Sequence, residues 1–325
     1  MTGALLPLVP LYAAAVTAKN LAWNRGWLRP RCLRGPVISI GNLSVGGSGK
    51  TPLVIYLAEL LTQRGVAVDV LSRGYGRHSM GALRVQPGGA VEQFGDEPLL
   101  IAQAAGVPVY IAEDRYEAGL LAESDPGDPR LHLLDDGFQH RQLARSVDIV
   151  VLHRSDFASR LLPAGRLRES FSSLRRAQFL VLRAEDRDLE PELRQRGHRQ
   201  PVWWIERRLN ISAPRIVIAF CGIARPEEFS SALQSEGCTV AALRAWRDHH
   251  RFTNADLAEL IELRRQHEAE AFITTEKDMV RLSSDQRHLL ESAAPLEAAR
   301  LRVCFADEAV AMDQLLQLVS ANRSR

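Results

Sequence analysis

Residues 37–61 read VISIGNLSVGGSGKTPLVIYLAELL, and no other stretch constrains the fold as tightly. Residues 37–40 form a short β-branched run after Gly35 and Pro36, which predicts a buried strand. From Leu53 onward, Leu53, Val54, Leu57, Leu60 and Leu61 recur at helical spacing. Between strand and helix lie Ser44, Val45, Gly46, Gly47, Ser48, Gly49, Lys50 and Thr51. A strand, a glycine loop ending in Gly-Lys-Thr and a helix are the context that a phosphate-binding P-loop requires. Glycines let backbone N–H groups turn inward without Cβ clashes, and the helix N-terminus adds partial positive charge. Lys50 is placed to reach β/γ-phosphates, and the Thr51 hydroxyl to ligate Mg²⁺. The motif's usual first glycine is Ser44 here. Residues 44–51 are therefore read as a nucleotide-binding loop.

A chain of 325 residues suggests about two domains, and its formal charge of +2 gives no global argument for a nucleic-acid partner. Cys32, Cys221, Cys238 and Cys304 form no Cys-x-x-Cys pair, which favours free thiols in a reducing cytosol over disulfides or zinc. Among 41 basic residues only Lys19, Lys50 and Lys277 are lysines. Where arginine serves almost everywhere, a surviving lysine can mark a need for a compact ammonium. Lys50 fits that logic and Lys277 becomes a position of interest.

Residues 5–16 are apolar but broken by Pro7 and Pro10, too short a run to span a bilayer and without the basic residues that open a signal peptide. A helix begun at Pro10 or Leu11 places Leu11, Ala14, Ala15, Ala18, Leu21 and Ala22 on one face. Trp23, Trp27 and several basic residues follow, a pattern suited to a helix lying in a membrane interface or packed on its own domain.

Strands are expected at 66–71, 107–111, 131–134, 147–152 and 179–182, with helices between. This is a doubly wound, mainly parallel P-loop α/β lobe, set at residues 35–200 after the N-terminal helix at 1–34. Beyond an arginine-rich stretch ending near Arg199, strands at 216–220, 239–243, 272–275 and 302–305 predict a second, smaller α/β lobe over residues 201–325. Ligands in such sheets bind outside the carboxyl ends of the strands, and two lobes leave a cleft.

The strand at 131–134 runs into Asp135 and Asp136, where a P-loop protein keeps its Mg²⁺-supporting carboxylate. His140 follows on the same loop and is a candidate through its closeness to Asp136. Gly95-Asp96-Glu97-Pro98 opens a helix, which by itself favours Asp96 as an N-cap. Asp248-His249-His250 lies in the second lobe. An Asp from one lobe and a His from the other could share a proton once the cleft closes, a general-base arrangement for activating a hydroxyl. Arg166 and Arg168, in PAGRLRE, suit a phosphate group or a helix-start salt bridge with Glu169.

The stretches IGNLSVGGSGKTP, LSRGYGR, GDEP, DDGFQH, LLPAGRLRE, AFCGIARPEEF, DHHRFT and TTEKD occur in this order along nearly the whole chain. In combination they resemble the tetraacyldisaccharide 4'-kinases of lipid A biosynthesis. The resemblance extends to the apolar N-terminal segment and to the missing first P-loop glycine. It implies transfer of phosphate from ATP, with Mg²⁺, to the 4'-hydroxyl of a tetraacylated glucosamine disaccharide 1-phosphate at the cytoplasmic face of the inner membrane. By that likeness Lys50 and Thr51 handle ATP and Mg²⁺, and Asp135 and Asp136 support the metal. Asp96 becomes the catalytic base with His249, or the adjacent His250, as its partner. His140, Arg168 and Arg73 fall on the substrate side, while Arg166 matches no role.

Two other readings compete. A membrane-bound P-loop switch ATPase would carry lysine where Val45 stands, and a GTPase would carry Asn-Lys-x-Asp, which Glu276-Lys277-Asp278 does not match in spacing.

Overall fold

The computed structural model describes residues 3–47, 49–126, 130–213 and 215–323; Ser48 of the glycine loop lies outside the described residues. Twelve strands form one sheet: β1 (Val37–Asn42), β2 (Val68–Ser72), β3 (Leu83–Arg84), β4 (Val109–Ile111), β5 (Leu131–Asp135) and β6 (Val147–Val151) precede β7 (Phe179–Arg183), β8 (Val202–Asn210), β9 (Ile216–Cys221), β10 (Thr239–Ala245), β11 (Ala271–Thr275) and β12 (Leu296–Phe305). Their order is β10-β9-β11-β12-β8-β7-β6-β1-β5-β2-β4-β3. All neighbours run parallel except β12–β8 and β3–β4, so the α/β reading holds with antiparallel joints at two places. β1, β2, β5 and β6 are buried at every position, as parallel strands covered on both faces require.

The two halves of the sheet are continuous, where the sequence suggested separate lobes. β8 pairs with β7 through residues 202–205 and with β12 through residues 205–210. β12 in turn pairs with β11 through residues 296–299 and with β8 through residues 300–305. These two long strands form an antiparallel ribbon, and each half runs parallel to the strand that leads toward the other. The carboxyl ends of β1, β2 and β5 therefore face those of β9, β10 and β11. β8 was not expected from sequence because Glu206, Arg207 and Arg208 interrupt its apolar character; on a ribbon with one buried side those charges point outward or into the cleft. The final helix, Glu308–Arg323, returns to the first half and adds Met312, Leu315 and Val319 to the core around Leu53, Leu57 and Leu61.

A 3₁₀ turn at Gly3–Leu8 runs into the helix Val9–Asn24. Its helical length exceeds the short apolar run noted in the sequence: residues 5–24, mean hydropathy 1.3, are long and apolar enough to cross a membrane by length and composition. The helix docks by its polar side. The Tyr12 hydroxyl donates to the Arg168 carbonyl at 3.0 Å, and Asn20 Nδ2 to Glu169 Oε2 at 2.8 Å. Arg141 reaches Asn24 Oδ1 at 2.9 Å. Of the expected apolar face, Leu11, Ala14, Ala15, Ala18 and Leu21 face outward, with Leu11 70% exposed, while Ala22 is half-buried where the chain folds back at Trp27 and Leu28.

Candidate active site

β1 ends in Asn42, and the glycine loop turns into the helix Lys50–Gln63. Gly49, at φ 84°, occupies the left-handed region at the helix N-cap, a conformation that costs most other residues free energy. Ser44 stands where the motif has glycine because the backbone does not turn there: it is buried and bridged to Leu167. Val45 N–H donates to the Arg166 carbonyl at 2.8 Å, and Arg168 N–H to the Leu43 carbonyl at 2.7 Å. The Arg166 side chain donates to the Val45 carbonyl at 3.1 and 3.2 Å. Arg166 is thus a strut on the glycine loop, a role its residue type did not announce.

Lys50 Nζ donates to Asn42 Oδ1 at 3.0 Å and lies 3.4 Å from Asp136 Oδ1. Arg168 grips both oxygens of Asp136 at 2.8 and 3.0 Å and also donates to Asn42. Burial would raise the Asp136 carboxyl, but Lys50 and Arg168 outweigh it and hold the group ionised well below the usual carboxylate range. Asp135 behaves oppositely. Burial raises its pKa, with Glu97 and Asp136 adding to the rise. Its Oδ2 accepts from Ser72 Oγ at 3.0 Å, while Oδ1 is buried without a hydrogen-bond partner. Among the described residues no group of three His, Cys, Asp or Glu is set to hold a metal. A free, buried carboxylate oxygen next to a second carboxylate, in a cavity that Thr51 also lines, nevertheless fits Mg²⁺, which takes one or two carboxylates and fills its shell with phosphate and water.

Across the cleft, Asp96 is the first residue of the helix Asp96–Ala104. Gly95, at φ 85°, occupies the cap, and a Cβ there would sit 2.7 Å from the Tyr75 carbonyl. Asp96 is therefore not the N-cap. Its Oδ1 accepts the Glu97 N–H at 2.9 Å, and its Oδ2 lies 2.9 Å from His249 Nδ1. The neighbouring His250 pairs with Asp256 instead, at 2.9 Å. Asp96 and His249 thus meet across the cleft. Two cations account for this. Arg281 donates to Asp96 Oδ2 through Nε at 2.8 Å and through a second nitrogen, and Lys277 Nζ lies 4.0 Å away. Against the penalty of burial, His249, Lys277 and Arg281 keep Asp96 ionised far below its ordinary range.

Lys50, Thr51, Asp135 and Asp136 on one side and His249 and Lys277 on the other line one cavity of about 830 Å³, which also includes Arg73, Tyr75, Arg115 and His140; Asp96 is buried against His249. The Tyr75 and His249 rings stand 5.3 Å apart. Arg73 is half-exposed and 3.6 Å from Glu113. Arg115 is buried with its Nε unpartnered; burial lowers it to about 10. His140 Nε2 is likewise buried without a hydrogen bond, 3.8 Å from Asp114. Sequence reasoning missed Arg115 and Arg281, two arginines among very many. The one usable signal was Lys277, one helical turn before Arg281.

A P-loop facing an acidic pair, with His249 across the same cavity and a buried Asp96 bound to it, defines a P-loop α/β phosphotransferase. The chain belongs to the tetraacyldisaccharide-1-P 4'-kinase family, whose model matches residues 1–320. It is 42% identical to the tetraacyldisaccharide 4'-kinase of Koribacter versatilis over 328 residues, covering 96% of this chain and 98% of that one. Its identity to the Aquifex aeolicus tetraacyldisaccharide 4'-kinase is 38% over 300 residues, 87% and 90% of the two chains. A solved "apo" form of Aquifex aeolicus LpxK in complex with ATP superimposes with a TM-score of 0.77 at 32% identity, covering 99% of each chain. The family displaces the switch-ATPase reading.

His140 generates a pH prediction. Burial, with Arg115 and Arg145 adding, pushes its imidazole down to about 3. In the unfolded chain it titrates near 6.5. Between these values the unfolded state binds the extra proton, so this group makes stability fall as pH falls through that window. His140→Gln should therefore lose less stability than the wild type between about pH 7 and pH 5. Denaturant midpoints at the two pH values provide the check; equal losses would contradict the burial-driven shift.

Proposed function

We propose that this chain is the kinase that transfers the γ-phosphate of ATP to the 4'-hydroxyl of a tetraacylated glucosamine disaccharide 1-phosphate in lipid A biosynthesis. The observation that supports it is one cavity lined on one side by Lys50, Thr51, Asp135 and Asp136 and on the other by His249, with Asp96 bound to it. Residues 35–200, with the returning helix Glu308–Arg323, and the remainder of 201–325 serve as the two lobes, joined through the β8–β12 ribbon, and no nucleic-acid partner is proposed.

The glycine loop's backbone N–H groups and the helix N-terminus at Lys50 cradle phosphate oxygens. Lys50 offers its ammonium to the β/γ-phosphates, exchanging its contact with Asp136 for theirs. Mg²⁺, held by Thr51, Asp135 and Asp136, supplies charge neutralisation on the phosphates when bound. Arg168 keeps Asp136 oriented and ionised. Asp96, fixed by His249, is the proposed acceptor of the hydroxyl proton; general-base help of this kind is worth roughly 10²–10⁴-fold. Arg73 and His140 are assigned to the disaccharide, one as a half-exposed cation and the other as a neutral imidazole.

The N-terminal helix is assigned to peripheral attachment at the cytoplasmic face of the inner membrane. Tyr12, Asn20 and Asn24 are used on the protein, leaving Leu11 and Leu21 outward and Trp27 exposed. An outward apolar face with Trp and basic flanks suits an interface.

Incubation with γ-labelled ATP and a lipid extract tests the kinase reading: label should move to a disaccharide lipid. Lys50→Ala should abolish transfer while leaving the fold intact, and Lys50→Arg should fail as well, since the planar fork does not replace a compact ammonium. Normal turnover by a folded Lys50→Ala protein would refute the P-loop assignment. Deleting residues 1–30 should release the protein from anionic vesicles, with wild-type binding partly weakened by salt. Unchanged co-sedimentation of the truncated protein would place attachment elsewhere.

A further inference from the structure

Helix Glu276–Arg281 follows β11 at the cleft, and residues four apart on it share a face. Lys277 and Arg281 are such a pair, and both point at the helix that begins with Asp96. Arg281 is almost fully enclosed, its side chain 4% exposed. Besides Asp96, it donates through Nη1 to Asp278 Oδ1 at 2.6 Å and to the Gly222 carbonyl at 2.7 Å. That carbonyl also accepts the His249 backbone N–H at 3.2 Å. His249 sits at φ 62°, so its loop is held in an unfavourable conformation by the surrounding contacts. Asp278 closes the far side, accepting the Gly222 N–H at 3.1 Å and the Thr275 hydroxyl at 2.6 Å. One guanidinium thereby ties the Asp96 helix to the loops after β9 and β10.

We propose that Arg281 is a positioning residue of phosphoryl transfer, holding Asp96 and the His249 loop in one geometry, with Lys277 as its auxiliary. This deepens the kinase reading and rests on it. The Mg²⁺ and P-loop machinery does not involve Arg281, which touches neither Lys50 nor the acidic pair. Lys277 Nζ donates to Glu97 Oε1 at 2.9 Å and lies 3.4 Å from both Asp248 Oδ1 and His249 Nε2. The charged groups facing Asp96 are thus His249 with Asp248 from the β10 loop, Lys277 and Arg281 from the short helix, and Glu97 on its own helix. Asp278 lies behind Arg281. Without Arg281, Asp96 and Asp278 would be two buried carboxylates with one principal cation removed, and Asp96 would take up a proton more readily. A protonated Asp96 cannot accept the hydroxyl proton. Activity must then fail at a higher pH than in the wild type.

The test measures kcat and KM for ATP against pH in wild type, Arg281→Gln, Arg281→Lys and Lys277→Gln. Arg281→Gln should lower kcat by about tenfold or more with the ATP KM changed less than about threefold, a loss confined to the transition state. Its acidic limb should move up by about one pH unit or more, and Arg281→Lys should restore most of that displacement because it returns the charge. Lys277→Gln should move the limb the same way, by less. A folded Arg281→Gln enzyme whose limb coincides with the wild type overturns the proposal, as does an Arg281→Lys limb displaced as far as that of Arg281→Gln. Should Arg281→Gln not fold, the limb of Lys277→Gln decides: displacement supports the network and coincidence overturns it. A wild-type protein that transfers no label defeats the kinase reading instead, so the two failures are distinguishable.

Discussion

An ionised carboxylate removed from water is costly unless cations and hydrogen-bond donors surround it, and a single missing partner leaves the penalty uncompensated. Asp96 meets this condition with partners drawn from distant segments: Arg281 and Lys277 from the helix after β11, and His249 from the loop after β10. Those loops can reach Asp96 only because the β8–β12 ribbon makes the carboxyl ends of the two half-sheets face each other. The charge requirement of one side chain and the sheet topology are therefore two views of the same constraint. The cavity between the halves follows from it, with the P-loop on one wall and His249, backed by Asp96, on the other.

The acidic pair at the end of β5 shows the same physics used twice in opposite senses. Asp136 is clasped by Arg168 and Lys50 and remains an anion. Asp135, one residue earlier, has only the Ser72 hydroxyl and is pushed toward its neutral form, with an oxygen left unpaired. A divalent ion would reverse that balance by supplying the missing positive charge.

What was legible in the sequence was local. The P-loop could be read because its glycines, lysine and flanking periodicities lie within one short stretch, and Asp135–Asp136 because they end an apolar strand. The Asp96–His249 pairing was not visible in the residues themselves, since Asp96 opening a helix looks like a cap until Gly95 is seen at that position. The residues offered an Asp–His pairing across the lobes only in general form, and the likeness to a family put Asp96 and His249 in it. Arg281 and Arg115 were hidden by a chain that uses arginine nearly everywhere, whereas Lys277 stood out by being a lysine. β8 was obscured because its charged residues serve a two-stranded ribbon rather than a buried parallel strand. The N-terminal helix was recognised as apolar on one face, but its docking through Tyr12 and Asn20 depends on the distant segment at Arg168 and Glu169.

The central claim is that Asp96 and His249 act as one unit across the cleft, and a double-mutant cycle on kcat tests it most directly. Asp96→Ala should reduce kcat by more than about tenfold, with His249→Ala milder, and the double mutant should be no worse than Asp96→Ala alone, because residues that act together are strongly non-additive. Strictly additive losses, or a rise in the ATP KM with kcat unchanged, would contradict the account and leave the 2.9 Å contact a purely structural one.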